Sequence, residues 1–222
     1  MASLASPDAP LKPKLRGWSH AVAVFVALFS GIALVWAAQG PTAKIACGVY
    51  AASLCLLLGV SALYHRVTWS TPAARQRMRR LDHSAIFVLI AGTYTPLAFT
   101  LDPQSTFRML AVAWTGAALG VLKALFWVHG PKWIVAVLAV SVGWLAIFYA
   151  APLLHTIGLA SVLWMGLGGV LYSLGALVYA VKRPDPWPMV FGYHEVFHAL
   201  VIAAAVCHFI AVSRSLGAMV VG

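Results

Sequence analysis

Charge is scarce in this 222-residue chain: 9% of its residues are Asp, Glu, Lys or Arg, and only five of those are acidic. Soluble domains carry about a quarter. So few charged side chains cannot supply the polar surface that a water-exposed protein needs, and disorder, which depends on low hydrophobicity, is excluded by the same numbers. Cysteine is scarce too. The three, Cys47, Cys55 and Cys207, are odd in number and lie in apolar runs, which excludes a disulfide framework and leaves them as small packing residues. What is abundant is apolar, at 62% of residues and a mean hydropathy of +0.90. Lipid is the implied solvent, and the net charge of +10 calls for a membrane explanation rather than nucleic-acid binding.

A helix needs about 20 apolar residues to cross the hydrocarbon. Seven such runs are found, from Ser19 to Ala38, Ile45 to Tyr64, Ser84 to Leu101, Arg108 to Val128, Trp133 to Ala151, Leu159 to Val181 and Tyr193 to Ser213. Breakers separate them: Gln39-Gly40-Pro41, the Thr71-Pro72 to Asp82 stretch, Asp102-Pro103, His129-Gly130-Pro131, Pro152 to Gly158, and Arg183 to Pro188. The reading is an all-α integral membrane bundle of seven transmembrane helices. Residues 1–18 form a short basic segment and residues 19–222 a single domain, with the first helix retained rather than cleaved as a signal peptide. No internal hydropathy repeat marks it as a two-halved transporter.

Lys and Arg set the orientation. Lys12, Lys14, Arg16, Arg66, Arg75, Arg77, Arg79, Arg80, Lys123, Lys132, Lys182 and Arg183 all fall on one side, leaving Lys44, Arg108 and Arg214 on the other. The N-terminus is therefore expected in the cytoplasm and the C-terminus outside, in a multi-pass protein of the cell membrane whose partners are membrane lipids. Trp18, Trp69, Trp127, Trp133 and Trp187 near span ends read as an interfacial belt.

Ionisable residues inside spans are costly and mark function. With that orientation, His20, Ser61, His65, Asp82, His83, His194, Glu195 and His198 all reach one cytoplasmic-side layer, although acids and histidines played no part in assigning topology. The sharpest local signal is His194-Glu195-Val196-Phe197-His198. Positions i and i+4 share a helix face, so two imidazoles can hold one metal ion, and His65 is the natural third ligand. Ser61, one turn before His65, can orient a ligand by hydrogen bonding. Three imidazoles with an open fourth position describe a catalytic zinc site, where the metal acidifies a water and polarises a carbonyl, and Asp82 can take the proton. The plainer alternative is that Asp82 caps the third helix or pairs with Arg79. His129 and His155 read as interfacial residues, and His208 lies too far along the last helix to share the metal.

These residues resemble the adiponectin-receptor and hemolysin III superfamily, the bacterial hemolysin III branch in particular. The resemblance rests on Ser61-x-x-x-His65, Asp82 placed 17 residues further on, and His194-x-x-x-His198, with the strings Leu63-Tyr64-His65, Asp82-His83-Ser84 and Gly92-Thr93-Tyr94-Thr95-Pro96 around them. It implies a zinc ion held by His65, His194 and His198 near the cytoplasmic face, with Asp82 holding the metal's water. It also implies a lipid-amide hydrolase or a sensor of membrane lipid state, with links to membrane homeostasis and cytolysis. One departure stands out: the family's first motif has a Glu and an Asn before its His, whereas here only His20 survives, with Arg16 where the Asn would be. Glu195 occupies a position where adiponectin-receptor relatives carry Gln, so Asp82 is the expected base and Glu195 a supporting residue. Three classes remain open, namely a zinc hydrolase for a lipid amide or ester, a non-enzymatic lipid sensor with structural zinc, and a pore-former. His20 as a fourth ligand would favour the sensor.

Overall fold

The computed structural model describes residues 13–127 and 132–219, the side chains of Lys132 and Trp133 excepted. Its helices are α1 (Trp18–Ala37), α2 (Gly40–Arg66), α3 (Pro72–Ala98), α4 (Pro103–Phe126), α5 (Lys132–Gly143), α6 (Ala150–Val181) and α7 (Tyr193–Arg214), with 3-10 turns at Leu145–Tyr149 and Leu216–Ala218. Among the described residues the only β pairing is an isolated bridge between Trp187 and Phe191. Proline starts three of the helices at a position where a missing N–H costs nothing. Asp102 caps α4 by accepting from the amides of Gln104 and Ser105, and Thr71 caps α3 through Ala74.

Sequential helices pack in pairs, α1 on α2, α2 on α3, α3 on α4 and α6 on α7, and α1 also meets α7 to close the bundle. Tyr50, Phe87, Leu97, Met109, Leu153 and Val212 are fully buried. The outer surface is also apolar: Phe25, Phe29, Trp36, Phe107, Phe148 and Leu163 are all exposed. Only hydrocarbon outside the bundle makes that distribution stable.

Among the described residues, five helical stretches are long and apolar enough to cross a membrane: α1, α2, α4, Ile134–Val181 and α7. The fourth of these doubles back on itself. Trp144 donates its indole N–H to the Ser173 hydroxyl at 3.1 Å, whereas 29 residues of straight helix would separate them by about 43 Å. The reversal uses the 3-10 turn and Gly158, whose φ of 76° and ψ of 163° break α6 in a region that only glycine enters readily. Tyr94 fastens the turn to α3, donating its hydroxyl proton to the Gly143 carbonyl and accepting from the Ala146 amide at 3.2 Å.

Two expected loops are helical. The Thr71 to Asp82 stretch forms the first turns of α3, because Thr71 and Pro72 start a helix that Ala, Arg, Gln, Met and Leu propagate well. Hydropathy hides it, since Arg75, Arg77, Arg79, Arg80 and Asp82 are polar without being helix breakers, and they also keep α3 out of the five apolar stretches. Asp82 therefore lies well inside a helix, and its expected alternative role as the cap of that helix is overturned. Pro152 to Ile157 likewise belongs to α6, and the break falls at Gly158 alone. His129 lies outside the described residues.

Candidate metal centre

Three imidazoles converge where the end of α2 meets the start of α7. The candidate ligand atoms of His65, His194 and His198 all lie within 4.8 Å of one another, and all three side chains are buried. The Nε2 atoms of His65 and His194 face each other at 3.0 Å. Two imidazole lone pairs that close repel unless a proton or a cation lies between them, and two nitrogens on one tetrahedral zinc would stand roughly 3.3 Å apart. His198, one turn beyond His194, packs its ring 4.5 Å from that of His194 and 5.0 Å from that of His65. Its Nδ1 is buried with no protein partner. The donor set is neutral, nitrogen-only and desolvated, which suits a borderline divalent metal and not a hard cation such as calcium.

Around the three imidazoles lie the other residues expected here. Ser61 is buried on the same face of α2 as His65, with its side chain beside the Asp82 carboxylate of α3. Asp82 is half-buried, and its carboxylate is not part of the three-imidazole cluster. His20 also stays out of the cluster. Its ring lies flat on that of His198, with centroids 3.9 Å apart and planes 6° from parallel, so the in-plane lone pairs of the two rings run side by side. Both His20 ring nitrogens are buried without a partner. His208 is spent elsewhere in the bundle, its Nε2 lying 3.2 Å from the Met165 carbonyl. His155 is exposed.

Glu195 is 3% exposed, and both of its carboxylate oxygens are occupied. Oε2 accepts from the Gly192 amide at 2.9 Å, closing the first turn of α7, and Oε1 pairs with the Arg16 guanidinium. The Asp185 carboxylate takes the next amide, that of Tyr193, at 2.7 Å. Two carboxylates thus satisfy the orphan amides and the positive end of the helix that carries two of the histidines. Nothing in the sequence singles out Arg16 and Asp185 for these roles. Glu195 in the first turn of α7 is placed to reach back to the Gly192 amide, one half of a capping box whose other half glycine lacks the side chain to make, but Arg16 and Asp185 carry no such signal. Tyr179 and Phe197 complete the wall, with ring centroids each 5.7 Å from that of His194.

Comparison with known proteins agrees with this geometry. The sequence profile of the family described as "Haemolysin-III related" matches residues 9–209. The Hemolysin-3 homolog of Bacillus subtilis (strain 168) is 31% identical over 167 residues, covering 74% of each chain, and the Hemolysin-3 of Bacillus cereus is 32% identical over 172 residues, covering 77% of this chain and 75% of that one. The adiponectin receptor protein of Drosophila melanogaster is 27% identical across 89% of this chain and 49% of its own. A profile spanning nearly the whole chain, relatives of similar length and a set of long apolar helices lead to one conclusion: this is a multi-pass plasma-membrane protein of the haemolysin-III-related family, in the bacterial branch of the superfamily that includes the adiponectin receptors.

Proposed function

We propose that this chain is a seven-span, zinc-dependent hydrolase acting on an amide or ester bond of a lipid, in the service of membrane lipid homeostasis. Its N-terminus lies in the cytoplasm, its C-terminus outside, and its metal centre near the cytoplasmic face. The observation that carries this reading is the buried trio His65, His194 and His198, whose nearest nitrogens face each other at 3.0 Å inside a bundle with an apolar exterior. His65, His194 and His198 would hold the metal. When bound, zinc supplies Lewis acidity, which brings water's acidity toward neutral pH and polarises a carbonyl.

The chain's own residues divide the remaining work. Asp82 is the general base and accepts the proton at its carboxylate, and the neighbouring Ser61 side chain orients it. Glu195 is not the base, because one oxygen is committed to Gly192 and the other to Arg16. The apolar exterior favours a substrate that arrives from the bilayer. A sensor with structural zinc is the second reading. His20 supports it, since its buried, unpartnered nitrogens next to His198 would make a fourth ligand if the ring turned.

The test pairs two substitutions in protein reconstituted with a panel of lipid amides and esters. Asp82→Asn should retain zinc and lose about 10²- to 10⁴-fold in hydrolysis. Glu195→Gln should retain most of it. The reverse ranking would move the base to Glu195, and wild-type protein with full zinc but no turnover on any lipid would favour the sensor.

A further inference from the structure

We propose that residues 13–17 form a strap across the polar end of the three-histidine centre, and that Arg16 is the positioning residue that holds it shut. Water-soluble molecules are thereby kept from the metal, which is reached from the lipid-facing side. This rests on the metal reading above but concerns access, which that reading leaves open.

Four residues of the segment meet different parts of the site's surroundings. Lys14 and Leu15 donate their backbone amides to the carbonyls of Met189 and Val190, both at 3.1 Å, so the segment runs along the loop that leads into α7. That loop is braced by the Trp187–Phe191 bridge. Arg16 then pairs with Glu195, whose second oxygen caps α7 at Gly192. Gly17 turns the chain into α1 with φ +79°, directly against His65: a Cβ at Gly17 would stand 2.6 Å from the His65 Cβ. Just beyond, the Arg66 guanidinium stacks 4.1 Å over the Trp18 ring, and His20 covers His198.

The strap thus touches α2 at one metal-binding position and α7 at the acid between the other two. Its one charged tie is decisive because of where it lies. The Glu195 side chain is 3% exposed and that of Arg16 18%, so the pair is shielded from the solvent screening that makes surface ion pairs weak. Backbone pairing over two residues is too little to hold a terminal segment, and the ion pair supplies the rest. The same contact gives the site its selectivity. Among the described residues, the occupied Glu195 oxygens and Gly17 packed on His65 close this part of the polar end to a soluble substrate, so an amphiphile entering between helices is the class the site favours.

The experiment uses full-length, zinc-loaded protein in nanodiscs and follows zinc loss to a water-soluble chromogenic chelator. Arg16→Gln should start with wild-type zinc content and release it at least ten-fold faster. Arg16→Lys should restore most of the slow release, Glu195→Gln should match Arg16→Gln, and the double variant should be no faster than either single one. Arg108→Gln, at the opposite end of the bundle, should behave as wild type. Release from Arg16→Gln at the wild-type rate, or equal acceleration by Arg108→Gln, would overturn the proposal. Limited trypsin digestion supplies a readout independent of metal. Cleavage after Lys14 should be faster in Glu195→Gln than in wild type, and equal rates would sink the strap. Wild-type protein that binds no zinc would refute the metal reading, leaving the trypsin comparison to judge the strap alone.

Discussion

Replacing His65 by alanine removes the one imidazole that α2 contributes, leaving His194 and His198 on α7. Because the metal would join two helices that are distant in sequence, its binding energy is also tertiary stability. At a free zinc concentration one hundred times the dissociation constant, binding to the folded state adds about 2.7 kcal/mol. For a chain of this size each kcal/mol moves the melting point by roughly 2–4 °C, so zinc should raise the Tm of the stripped wild type by about 5–11 °C. The structure locates the gain: the two Nε2 atoms stand 3.0 Å apart, a hydrogen bond when one of them carries a proton, and zinc would take that proton's place with two stronger bonds that tie α2 to α7. Deleting the imidazole also leaves a cavity that destabilises the loaded and stripped forms alike, so the quantity to compare is the zinc-induced shift. Fluorescence-monitored unfolding with and without chelator, alongside metal analysis by mass spectrometry, should give a shift near zero for His65→Ala. An undiminished shift in His65→Ala, with zinc content equal to wild type, would show that the metal is bound elsewhere.

Three further outcomes are expected. Tyr94→Phe strands the Gly143 carbonyl and the Ala146 amide at the α5–α6 turn, which should cost about 1–3 kcal/mol in detergent unfolding while leaving zinc content unchanged. Gly158→Ala meets no neighbouring atom within 4 Å, so its effect should come from backbone strain alone, about 1–3 kcal/mol, and reversion to glycine should restore it. Asp102 is held below the usual carboxylate range by its bonds to Ser105 and Gln104. Its contribution is therefore complete above the ordinary carboxylate pKa of about 4 and fades as pH falls through its lower folded value. Wild type should lose stability relative to Asp102→Asn only on that acid side, as thermal scans across pH would reveal.

Much of the site is legible in the amino-acid sequence. His194 and His198 announce themselves because the helical repeat puts i and i+4 on one face, and Ser61 with His65 repeats that spacing on α2. The basic start of α3 is hidden for a physical reason: hydropathy measures transfer into lipid, not helix formation, so Arg75 to Arg80 look like a loop although those residues are good helix formers. The charged partner of Glu195 is invisible because it lies on a separate segment, Arg16 being 179 residues away in the chain. The break at Gly158 falls at the edge of the loop expected from Pro152 to Gly158, but its conformation depends on backbone angles that no local pattern specifies.

Composition and periodicity alone determined that the chain lives in lipid and pointed most of its few ionisable residues to one end, because burial in hydrocarbon excludes charge wherever function or topology does not require it. Which atoms of those residues meet was decided only by the packing of the bundle. Local spacing could bring two imidazoles onto one helix face. It could not set the Nε2 of His65 opposite that of His194, lay His20 flat on His198, or bring Arg16 to Glu195, because each of these depends on the distance between segments separated by more than a hundred residues of chain.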